Sequence, residues 1–362
     1  MAYPKLFIPG PTHVSEDILN AFSTYQVGHR TPEFSELTQT VITGIQKVLY
    51  TQNKVFLASH AATGLWELGL RNTYKPNSKI LFAVNGAFSS KWSTVGDKCG
   101  FKYSTIDKSW GTGIHPEDID DQLSTGDYDI FCMVHNETST GVLSDLEPIS
   151  KLLKNKYPNV IWMVDAVSSM AGVKIEVDKL GIDFIFASTQ KAWGLPAGFA
   201  VCSVSDRILD RSKNIKNKGY FFDLEVYDKY YEKWQTPVTP SIPHLFGLKA
   251  TIEKIENEGL ENRWERHIEC GKYTREWAIN HGQQFFPEKS CLSPTITCIQ
   301  NDQKWDINAI NDKLLGKGYR MDRGYGKLRG QAFRIAHMGN VYLDDLKDYL
   351  AQFDNVLTEL NY

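Results

Sequence analysis

The residue whose surroundings most strongly suggest chemistry is Lys191, in the stretch DFIFASTQKAWGLPAGFAVCSV at 183–204. Apolar residues precede and follow it, and the loop between them contains glycine and proline, which predicts two buried strands and their connection. Lysine is strongly hydrated and is seldom buried without a partner. Lys191 is therefore either a surface side chain whose stem covers apolar surface or an amine held in a cleft for chemistry.

A second candidate is Asp165, which ends the apolar run 160–164. A carboxylate in this position is costly to desolvate unless it meets a hydrogen-bond donor or a cation. Capping of a following helix is the alternative role for Asp165, because Ala166, Val167 and Ser168 come next. An acid and an amine at the ends of two neighbouring apolar runs could act on one ligand.

Residues at the ends of other apolar runs could bind the remaining parts of such a ligand. The run near 54 leads into SHAATGLWELGL, where small residues open a helix whose first N–H groups could cradle a phosphate, although a tight turn is the alternative. The run near 79 ends in NGAFSSKW, in which Phe88 or Trp92 could cover a flat ring or simply belong to the core. The run near 129 ends in HNETSTGV, a cluster of hydroxyls and an amide.

The sequence pattern predicts that strands alternating with helices position these residues. KVFLAS, KILFAVN, DIFCMVHN, VIWMVDAV and DFIFAST are short apolar segments, and 33–49 carries apolar residues every three or four positions, typical of a helix with one apolar face. Strands buried on both sides and separated by helices predict a mainly parallel α/β sheet. Ligands of such sheets bind beyond the carboxyl ends of the strands.

The pattern changes after TPVTPSIPHLFGL. Two consecutive helices are predicted at 245–257 and 260–280, followed by short strands near 294–300 and 331–337 and a closing helix at 342–360. We therefore predict an N-terminal substrate segment at 1–14, a large domain at 15–250 and a small α+β domain at 251–362.

One flat ligand explains the whole set of candidates, namely pyridoxal 5'-phosphate. Its ring withdraws electrons only when the pyridine nitrogen stays protonated, which a buried carboxylate enforces. Its aldehyde needs an amine whose pKa is lowered, so that the free base is available to attack.

The sequence also resembles the class V aminotransferases of fold type I over nearly its whole length. FIPGPTHV resembles the N-terminal substrate segment of that family, and VDAVSSMAG with GIDFIFASTQKAWGLPAG resembles its cofactor-binding signature. TPVTPSIPHLFGL and FRIAHMGN resemble its later blocks. The resemblance implies a large domain with a mainly parallel seven-stranded sheet between helices and a smaller C-terminal α+β domain.

The resemblance also implies a role for each candidate residue. Lys191 would hold the cofactor covalently and move the α-proton, and Asp165 would pair with the ring nitrogen. Phe88 would stack on the ring where many relatives carry Trp. The other implied cofactor-binding residues are Ala61, Ala62 and Thr63 in the phosphate cradle, Thr138 and Gln190 around the ring and phosphate, and Thr236, contributed by the neighbouring subunit of a homodimer.

The implied substrate-binding residues are Gly10, His29, Arg30 and Arg334. Arg334 would clamp the α-carboxylate of the substrate, a surface ion pair being the alternative. His29 and Arg30, in VGHRTPEF, resemble residues of phosphoserine aminotransferases that hold a second acidic group. We therefore predict phosphoserine with 2-oxoglutarate, in serine biosynthesis, with serine or alanine and glyoxylate as the alternative.

Two other kinds of protein are less consistent with the sequence. A cysteine desulfurase of this group would place His before the catalytic lysine, where this chain has Gln190, and Cys291 and Cys298 do not lie in a glycine-rich loop. A non-catalytic scaffold could have lost Lys191 or Asp165, and both are present.

Bulk properties restrict the remaining possibilities. A net charge of −3 without a Lys/Arg stripe gives no sign of nucleic-acid binding. We expect no signal peptide and no membrane span, because no apolar segment is long enough. The six cysteines are scattered without C-x-x-C pairs, so neither a metal site nor a disulfide framework is expected, and the cytoplasm fits best.

Overall fold

The computed structural model describes residues 3–362. The helices of this part of the chain are α1 (Glu16–Phe22), α2 (Pro32–Leu49), α3 (Ala62–Thr73), α4 (Ala87–Lys98), α5 (Pro116–Leu123), α6 (Leu146–Lys156), α7 (Val177–Leu180), α8 (Asp206–Ser212), α9 (Leu224–Tyr231), α10 (Ile242–Glu258), α11 (Leu260–Asn280), α12 (Ile307–Gly316) and α13 (Leu343–Glu359). None of them is both long enough and apolar enough to cross a membrane.

The strands are short and mostly five residues long. They are β1 (Lys5–Leu6), β2 (Lys54–Ala58), β3 (Ile80–Val84), β4 (Tyr103–Asp107), β5 (Ile130–Val134), β6 (Asn136–Glu137), β7 (Val142–Leu143), β8 (Ile161–Asp165), β9 (Phe184–Ser188), β10 (Ala200–Val204), β11 (Ile296–Gln300), β12 (Tyr319–Arg320) and β13 (Ala332–Ala336).

Seven of these strands form the central sheet, in the order β2-β10-β9-β8-β5-β3-β4. Neighbours from β9 to β4 pair in parallel, whereas β10 is antiparallel to both β9 and β2. Strands β5, β8, β9 and β10 are buried along their whole length. Alternate residues of β5 pack into two different cores, Phe131 and Met133 into one and Ile130 and Cys132 into the other. The predicted α/β sheet with helices on both faces is confirmed.

The apolar segments predicted as strands near 54, 79, 129, 160 and 183 correspond to β2, β3, β5, β8 and β9. The predicted helices at 33–49 and 260–280 correspond to α2 and α11. Strand β4 was not among the predicted strands, because its sequence YSTID mixes polar and apolar residues. This strand lies at the edge of the sheet and is only partly buried, so it does not need the continuous apolar run of a central strand.

The C-terminal part has its own core, formed mainly by α11, α12, α13 and the antiparallel pair β11–β13. The N-terminal segment joins this core, because β1 pairs in parallel with β12 and the Phe7 ring stacks on Tyr349 with centroids 4.0 Å apart. Residues 5–12 therefore run from the C-terminal core to the lysine loop, which they reach through a hydrogen bond from the Thr12 N–H to the carbonyl of Gln190. The predicted domain boundary near residue 250 stays a prediction.

Candidate active site

Asp165 is the last residue of β8 and lies at the carboxyl end of the parallel strands. Its side chain is 2% exposed and accepts hydrogen bonds from the indole of Trp66 at 2.7 Å and from the backbone N–H of Val167 at 2.9 Å. Burial raises the pKa of Asp165 to about 7, against the effect of the two hydrogen bonds and of Lys191. No helix starts directly after Asp165, because the chain turns there, so the helix-capping alternative does not hold.

Lys191 lies in the loop between β9 and β10, on the same side of the sheet as Asp165. Its half-buried side chain donates a hydrogen bond from Nζ to the carbonyl of Pro9 at 2.7 Å. Burial and the nearby Arg334 lower the pKa of Lys191 to about 8, while Asp165 and Asp322 oppose this shift. Lys191 is thus an amine in a cleft, and its lowered pKa gives it a larger neutral fraction near neutral pH than a free lysine has.

The N-terminal segment covers this lysine. Thr12 donates from Oγ1 to the carbonyl of Lys191 at 3.1 Å, and Gly10 packs against the lysine side chain. A Cβ on Gly10 would lie 2.6 Å from Nζ of Lys191, and its φ of +145° is one that other residues rarely adopt. Gly10, which the sequence placed among the substrate-binding residues, therefore lies directly beside the amine.

The predicted phosphate cradle is the N-terminus of α3. Ala61 precedes the helix, and its own side chain cannot cap the helix. The Ala62 N–H donates to Oγ of Ser188 at 2.6 Å. Thr63 is exposed, and its N–H has no backbone acceptor among the described residues, as an anion-binding helix end requires.

The inner cavity, as we name the space between these groups, has a volume of about 230 Å³. It is lined by Gly10, Pro11, Ala61, Ala62, Thr63, Trp66, Phe88, Lys91, Val134, Asn136, Thr138, Asp165, Val167, Ser188, Gln190 and Lys191. Eight of the nine predicted cofactor-binding residues are in this set, and Thr236 is not. The structure therefore brings together residues that the sequence separates by more than a hundred positions.

The ring-side groups of the inner cavity have distinct surroundings. Phe88 lies at the start of α4, and its N–H and that of Ser89 donate to the buried carboxylate of Glu137. Thr138 bonds through Oγ1 to the hydroxyl of Ser168 at 2.6 Å. Oε1 of Gln190 is buried and has no partner among residues 3–362, which indicates a polar contact that a ligand supplies. Trp92, the other aromatic candidate, is a core residue.

Arg334 lies on β13 and is 4% exposed. Its Nε and Nη2 donate to the carboxylate of Asp322 at 2.8 and 2.7 Å, and its Nη1 donates to the carbonyl of Thr138 at 2.9 Å. Guanidinium has five N–H donors, so two remain for a further acceptor. The ion-pair alternative is thus realised, but inside the site rather than on the surface, and it leaves Arg334 able to bind a carboxylate.

His29, Arg30 and Thr236 form a separate cluster. Nη1 of Arg30 donates to the carbonyl of Thr236 at 2.8 Å, and His29 lies 3.4 Å from Oγ1 of Thr239. Arg30 is exposed and stacks on Tyr230, 4.7 Å from the ring centroid. Neither His29, Arg30 nor Thr236 lines the cavity that contains Lys191 of the same chain.

Four contributors were not singled out from the sequence: Trp66, Val167, Ser188 and Asp322. Trp66 follows the cradle by one helical turn, and Ser188 is the last residue of β9, so strand-end position was a usable signal for Ser188. Asp322 lies in a loop, and its partner Arg334 lies on β13. No local sequence pattern links the two residues, so only the folded structure reveals the pair.

Comparison with known proteins gives a consistent result. The model of the family described as Aminotransferase class-V matches residues 7–303. The chain belongs to the class-V aminotransferase family. It is an aminotransferase, and the cofactor of its family is pyridoxal 5'-phosphate.

Individual relatives cover nearly the whole chain. Serine–glyoxylate aminotransferase of Arabidopsis thaliana is 32% identical over 99% of this chain and 91% of its own length. L-aspartate–glyoxylate aminotransferase of Paracoccus denitrificans is 31% identical over 93% and 86%. A protein of Synechococcus sp. named as the small subunit of a soluble hydrogenase is 32% identical over 99% and 94%.

Solved structures agree with the fold. Alanine–glyoxylate aminotransferase from Nostoc sp. superposes with a TM-score of 0.93 at 26% identity, over 99% of this chain and 96% of that one. A phosphoserine aminotransferase from Cytophaga hutchinsonii has a TM-score of 0.90 at 25% identity, over 98% and 99%.

The residues of the inner cavity fit pyridoxal phosphate. The buried acid Asp165, the amine of Lys191, the N-terminus of α3 and the unpartnered Oε1 of Gln190 correspond to its ring nitrogen, aldehyde, phosphate and ring substituents. An acid whose pKa is raised by burial regains its charge when a protonated ring nitrogen arrives as its partner.

Proposed function

We propose that this aminotransferase moves the amino group of serine or alanine to glyoxylate. The observation that carries the proposal is the convergence of Lys191, Asp165 and Arg334 on connected cavities at the carboxyl ends of the strands. An amine, a ring-nitrogen partner and a carboxylate clamp are the groups that amino-acid transamination needs.

Relatives support glyoxylate as the acceptor. The named aminotransferases of Arabidopsis thaliana and Paracoccus denitrificans both carry glyoxylate in their names, as does the structural neighbour from Nostoc sp.. The phosphoserine aminotransferase of Cytophaga hutchinsonii is a more distant match in sequence. Phosphoserine with 2-oxoglutarate, the main prediction from the sequence, therefore has less support than its alternative.

Each residue has a definite part in the proposed reaction. When bound, the cofactor supplies an electron-withdrawing ring that makes the α-proton of the amino acid acidic. Lys191 accepts this proton at Nζ and returns it, because its lowered pKa leaves the amine neutral in a useful fraction of molecules. Asp165 would pair with the protonated ring nitrogen and keep its charge in place.

Arg334 orients the substrate. Two edges of its guanidinium are fixed by Asp322 and by the Thr138 carbonyl, so its remaining donors have a set direction toward the α-carboxylate. Fixing the guanidinium in advance lowers the entropy lost on binding. The N-terminal segment at Pro9 and Gly10 closes over Lys191 and limits access of water to the amine.

The other kinds of protein considered from the sequence are less consistent with these contacts. Cys291 and Cys298 are buried, and burial raises the pKa of the Cys298 thiol to about 12, so it is not a thiolate nucleophile. A scaffold has no use for an acid and an amine with shifted pKa values in one cavity. The Synechococcus relative is named as a hydrogenase subunit, but the residues of the inner cavity are those that transamination needs.

The test is a half-reaction on the purified enzyme with bound cofactor. Serine, alanine, glutamate and phosphoserine are added singly, and the visible absorption band of the cofactor is followed. Serine or alanine should remove the band, and glyoxylate should restore it faster than 2-oxoglutarate. Loss of the band with phosphoserine and glutamate alone would reject this donor and favour the other substrate pair.

We also propose a cytoplasmic homodimer with shared sites. The cluster of His29, Arg30 and Thr236 lies away from Lys191 of its own chain, as expected for residues that act in a neighbouring subunit. Mixing Lys191→Ala subunits with Arg30→Ala subunits should restore activity in the mixed dimer. Two variants that stay inactive together although they form mixed dimers would contradict shared sites.

A further inference from the structure

A second cavity adjoins the inner cavity on the side of Arg334, and we name it the outer cavity. Its volume is about 460 Å³, and it shares Gly10, Phe88, Thr138 and Lys191 with the inner cavity. Most of its remaining wall is a single segment, 320–329, that precedes β13. Groups on this segment therefore face a substrate that is held between Lys191 and Arg334.

The charge of the outer cavity is unbalanced. Besides Arg334, three arginines line it, namely Arg320, Arg323 and Arg329, and its one acid is Asp322. The carboxylate of Asp322 is occupied by the bidentate contact with Arg334 and by the N–H of Gly324. The segment thus presents three positive charges toward the substrate space and no negative charge that is free to neutralise them.

The three arginines of segment 320–329 have no acidic partner in the described part of the chain that would balance their charge. Among residues 3–362, neither Arg320 nor Arg329 has an acidic partner within ion-pair distance, and Arg323 bonds only the neutral amide oxygen of Asn308, at 3.1 Å. Arg320 and Arg323 are half-buried, whereas Arg329 is exposed at the rim. Half-buried guanidinium groups without a counter-ion favour the binding of an anion.

The segment that carries these arginines is held in place. Arg320 belongs to β12, which pairs with β1, and the next residue, Met321, is buried in the C-terminal core. Gly324 has a φ of +83°, and a Cβ there would lie 2.4 Å from the carbonyl oxygen of Ala332. Only glycine therefore fits at this point of the turn, which passes close to the backbone of β13. The Gly330 N–H closes the turn on the carbonyl of Arg323. The backbone that carries the three arginines is therefore in a fixed position before a substrate binds.

We propose that the outer cavity is a subsite for a negatively charged side chain of the amino-acid donor, bound by Arg320 and Arg323. The α-carboxylate stays with Arg334, and the second anionic group extends toward segment 320–329. The enzyme then accepts a dicarboxylic donor of the aspartate type in addition to serine or alanine. The amino group and the α-hydrogen of this donor exchange for the carbonyl oxygen of glyoxylate, so that glycine and a 2-oxo diacid form without any oxidant.

This proposal rests on the proposed function, and its main test uses two donors of nearly equal shape. Aspartate and asparagine differ in the charge of one terminal group. On the enzyme with bound cofactor, the rate constant for loss of the visible band divided by the half-saturating concentration should be at least about tenfold higher for aspartate, because hydrogen bonds to charged groups are the stronger ones. Equal values, or a preference for asparagine, would overturn the subsite.

Substitutions of the two arginines test whether they cause the preference for aspartate. Arg320→Gln and Arg323→Gln should each lower the aspartate value by about 10-fold to 100-fold and change the asparagine and alanine values by less than about threefold. Lys327→Gln is the matched control, since Lys327 is a cation of the same segment that stacks on Trp110, 4.1 Å from the ring centroid, and does not line the cavity. A loss of aspartate specificity in Lys327→Gln as large as in Arg323→Gln would contradict a local subsite.

A binding measurement is independent of turnover and of any failure of a variant to fold. Succinate has two carboxylates and no amino group, whereas propionate has one carboxylate. Calorimetry on the unsubstituted enzyme should show tighter binding of succinate by about tenfold or more, and added salt should reduce this difference. Equal affinity of the two acids would overturn the proposal.

The donors also separate this proposal from the proposed function. If serine and alanine react while aspartate does not, the subsite fails and the proposed function stands. If aspartate reacts and serine and alanine do not, the subsite stands and the proposed donor fails. If no amino acid changes the band, both proposals fail. Phosphoserine is included with aspartate, and a faster reaction of phosphoserine would place a phosphate rather than a carboxylate at Arg320 and Arg323.

Discussion

The inner and outer cavities share Lys191 and yet are built in different ways. Groups of the inner cavity come from the ends of β8 and β9 and from the helix that follows β2, which all border the central sheet. Those of the outer cavity come mostly from the loop segment 320–329. The inner acid is buried and bonded to Trp66 and Val167, whereas Arg320, Arg323 and Arg329 of the outer cavity have no acidic partner within residues 3–362.

This difference separates two tasks. Chemistry requires an amine and an acid whose pKa values are shifted by burial, and a rigid sheet supplies that environment. Selection of the donor requires charges at the correct distance from Lys191, and a loop supplies them without changing the sheet. Substitutions in the inner cavity should therefore affect every donor alike, and substitutions in the outer cavity should change the choice between donors.

The largest effect is expected from Lys191→Ala. Turnover should fall by about 10²-fold to 10⁴-fold for all donors, because the residue that moves the α-proton is gone. Borohydride treatment followed by peptide mapping should find cofactor on Lys191 in the unsubstituted enzyme and nowhere in the variant. Lys91→Ala is the control, since Lys91 also lines the inner cavity and should be dispensable. Cofactor fixed to Lys91 would contradict the assignment.

The second largest effect is expected from Asp165→Asn. Breaking a buried charge pair costs about 3–5 kcal/mol, so cofactor affinity should fall by about 10²-fold to almost 10⁴-fold. Asp183→Asn is a matched control, because Asp183 is also buried and accepts a hydrogen bond from the Trp162 N–H at 3.0 Å. Asp183 directly precedes β9, so it lies at the amino ends of the parallel strands, away from the inner cavity. Equilibrium dialysis of the cofactor should show a loss for Asp165→Asn alone, and equal losses would remove Asp165 from the ring-nitrogen role.

Arg334→Gln should weaken the use of every donor but not the binding of the cofactor. The ratio kcat/KM for alanine should fall by about 10-fold to 100-fold, as expected when a charged hydrogen bond to the carboxylate is lost. The contrast is with Arg323→Gln, which should spare alanine. Steady-state kinetics on both variants make the comparison, and an unchanged value for alanine in Arg334→Gln would place the α-carboxylate elsewhere.

The smallest effect is a dependence on pH. Neutral amine is needed to attack the aldehyde of the cofactor, and the pKa of Lys191 is lowered to about 8. Cofactor uptake by the cofactor-free protein should accelerate by about tenfold per pH unit between pH 7 and pH 8, more steeply below pH 7, and level off above pH 8. Ionisation of Asp165, whose pKa burial raises to about 7, favours uptake in the same direction. Stopped-flow absorbance gives the profile, and a rise that continues to pH 10 would indicate an ordinary exposed lysine.

Periodicity predicted most elements of the central sheet, because strands buried on both faces must be apolar throughout. It did not single out β4, whose edge position relaxes that requirement. Position at strand ends identified Asp165 and Phe88, since parallel strands bring their carboxyl ends to one edge. It also identified Trp92 as a candidate equal to Phe88, and only packing distinguished the core residue from the one that lines the cavity.

Residue types and their order along the chain were thus enough to establish the α/β class, the lysine–acid pair and the family, because each depends on local pattern or on strand direction. Contacts between distant segments decided the rest. The ion pair of Arg334 with Asp322, the cover of Lys191 by Pro9 and the contact of Arg30 with Thr236 each join segments that are far apart along the chain or meet only in the folded molecule. Charge and burial at these positions depend on neighbours that are remote in sequence, which no local pattern encodes.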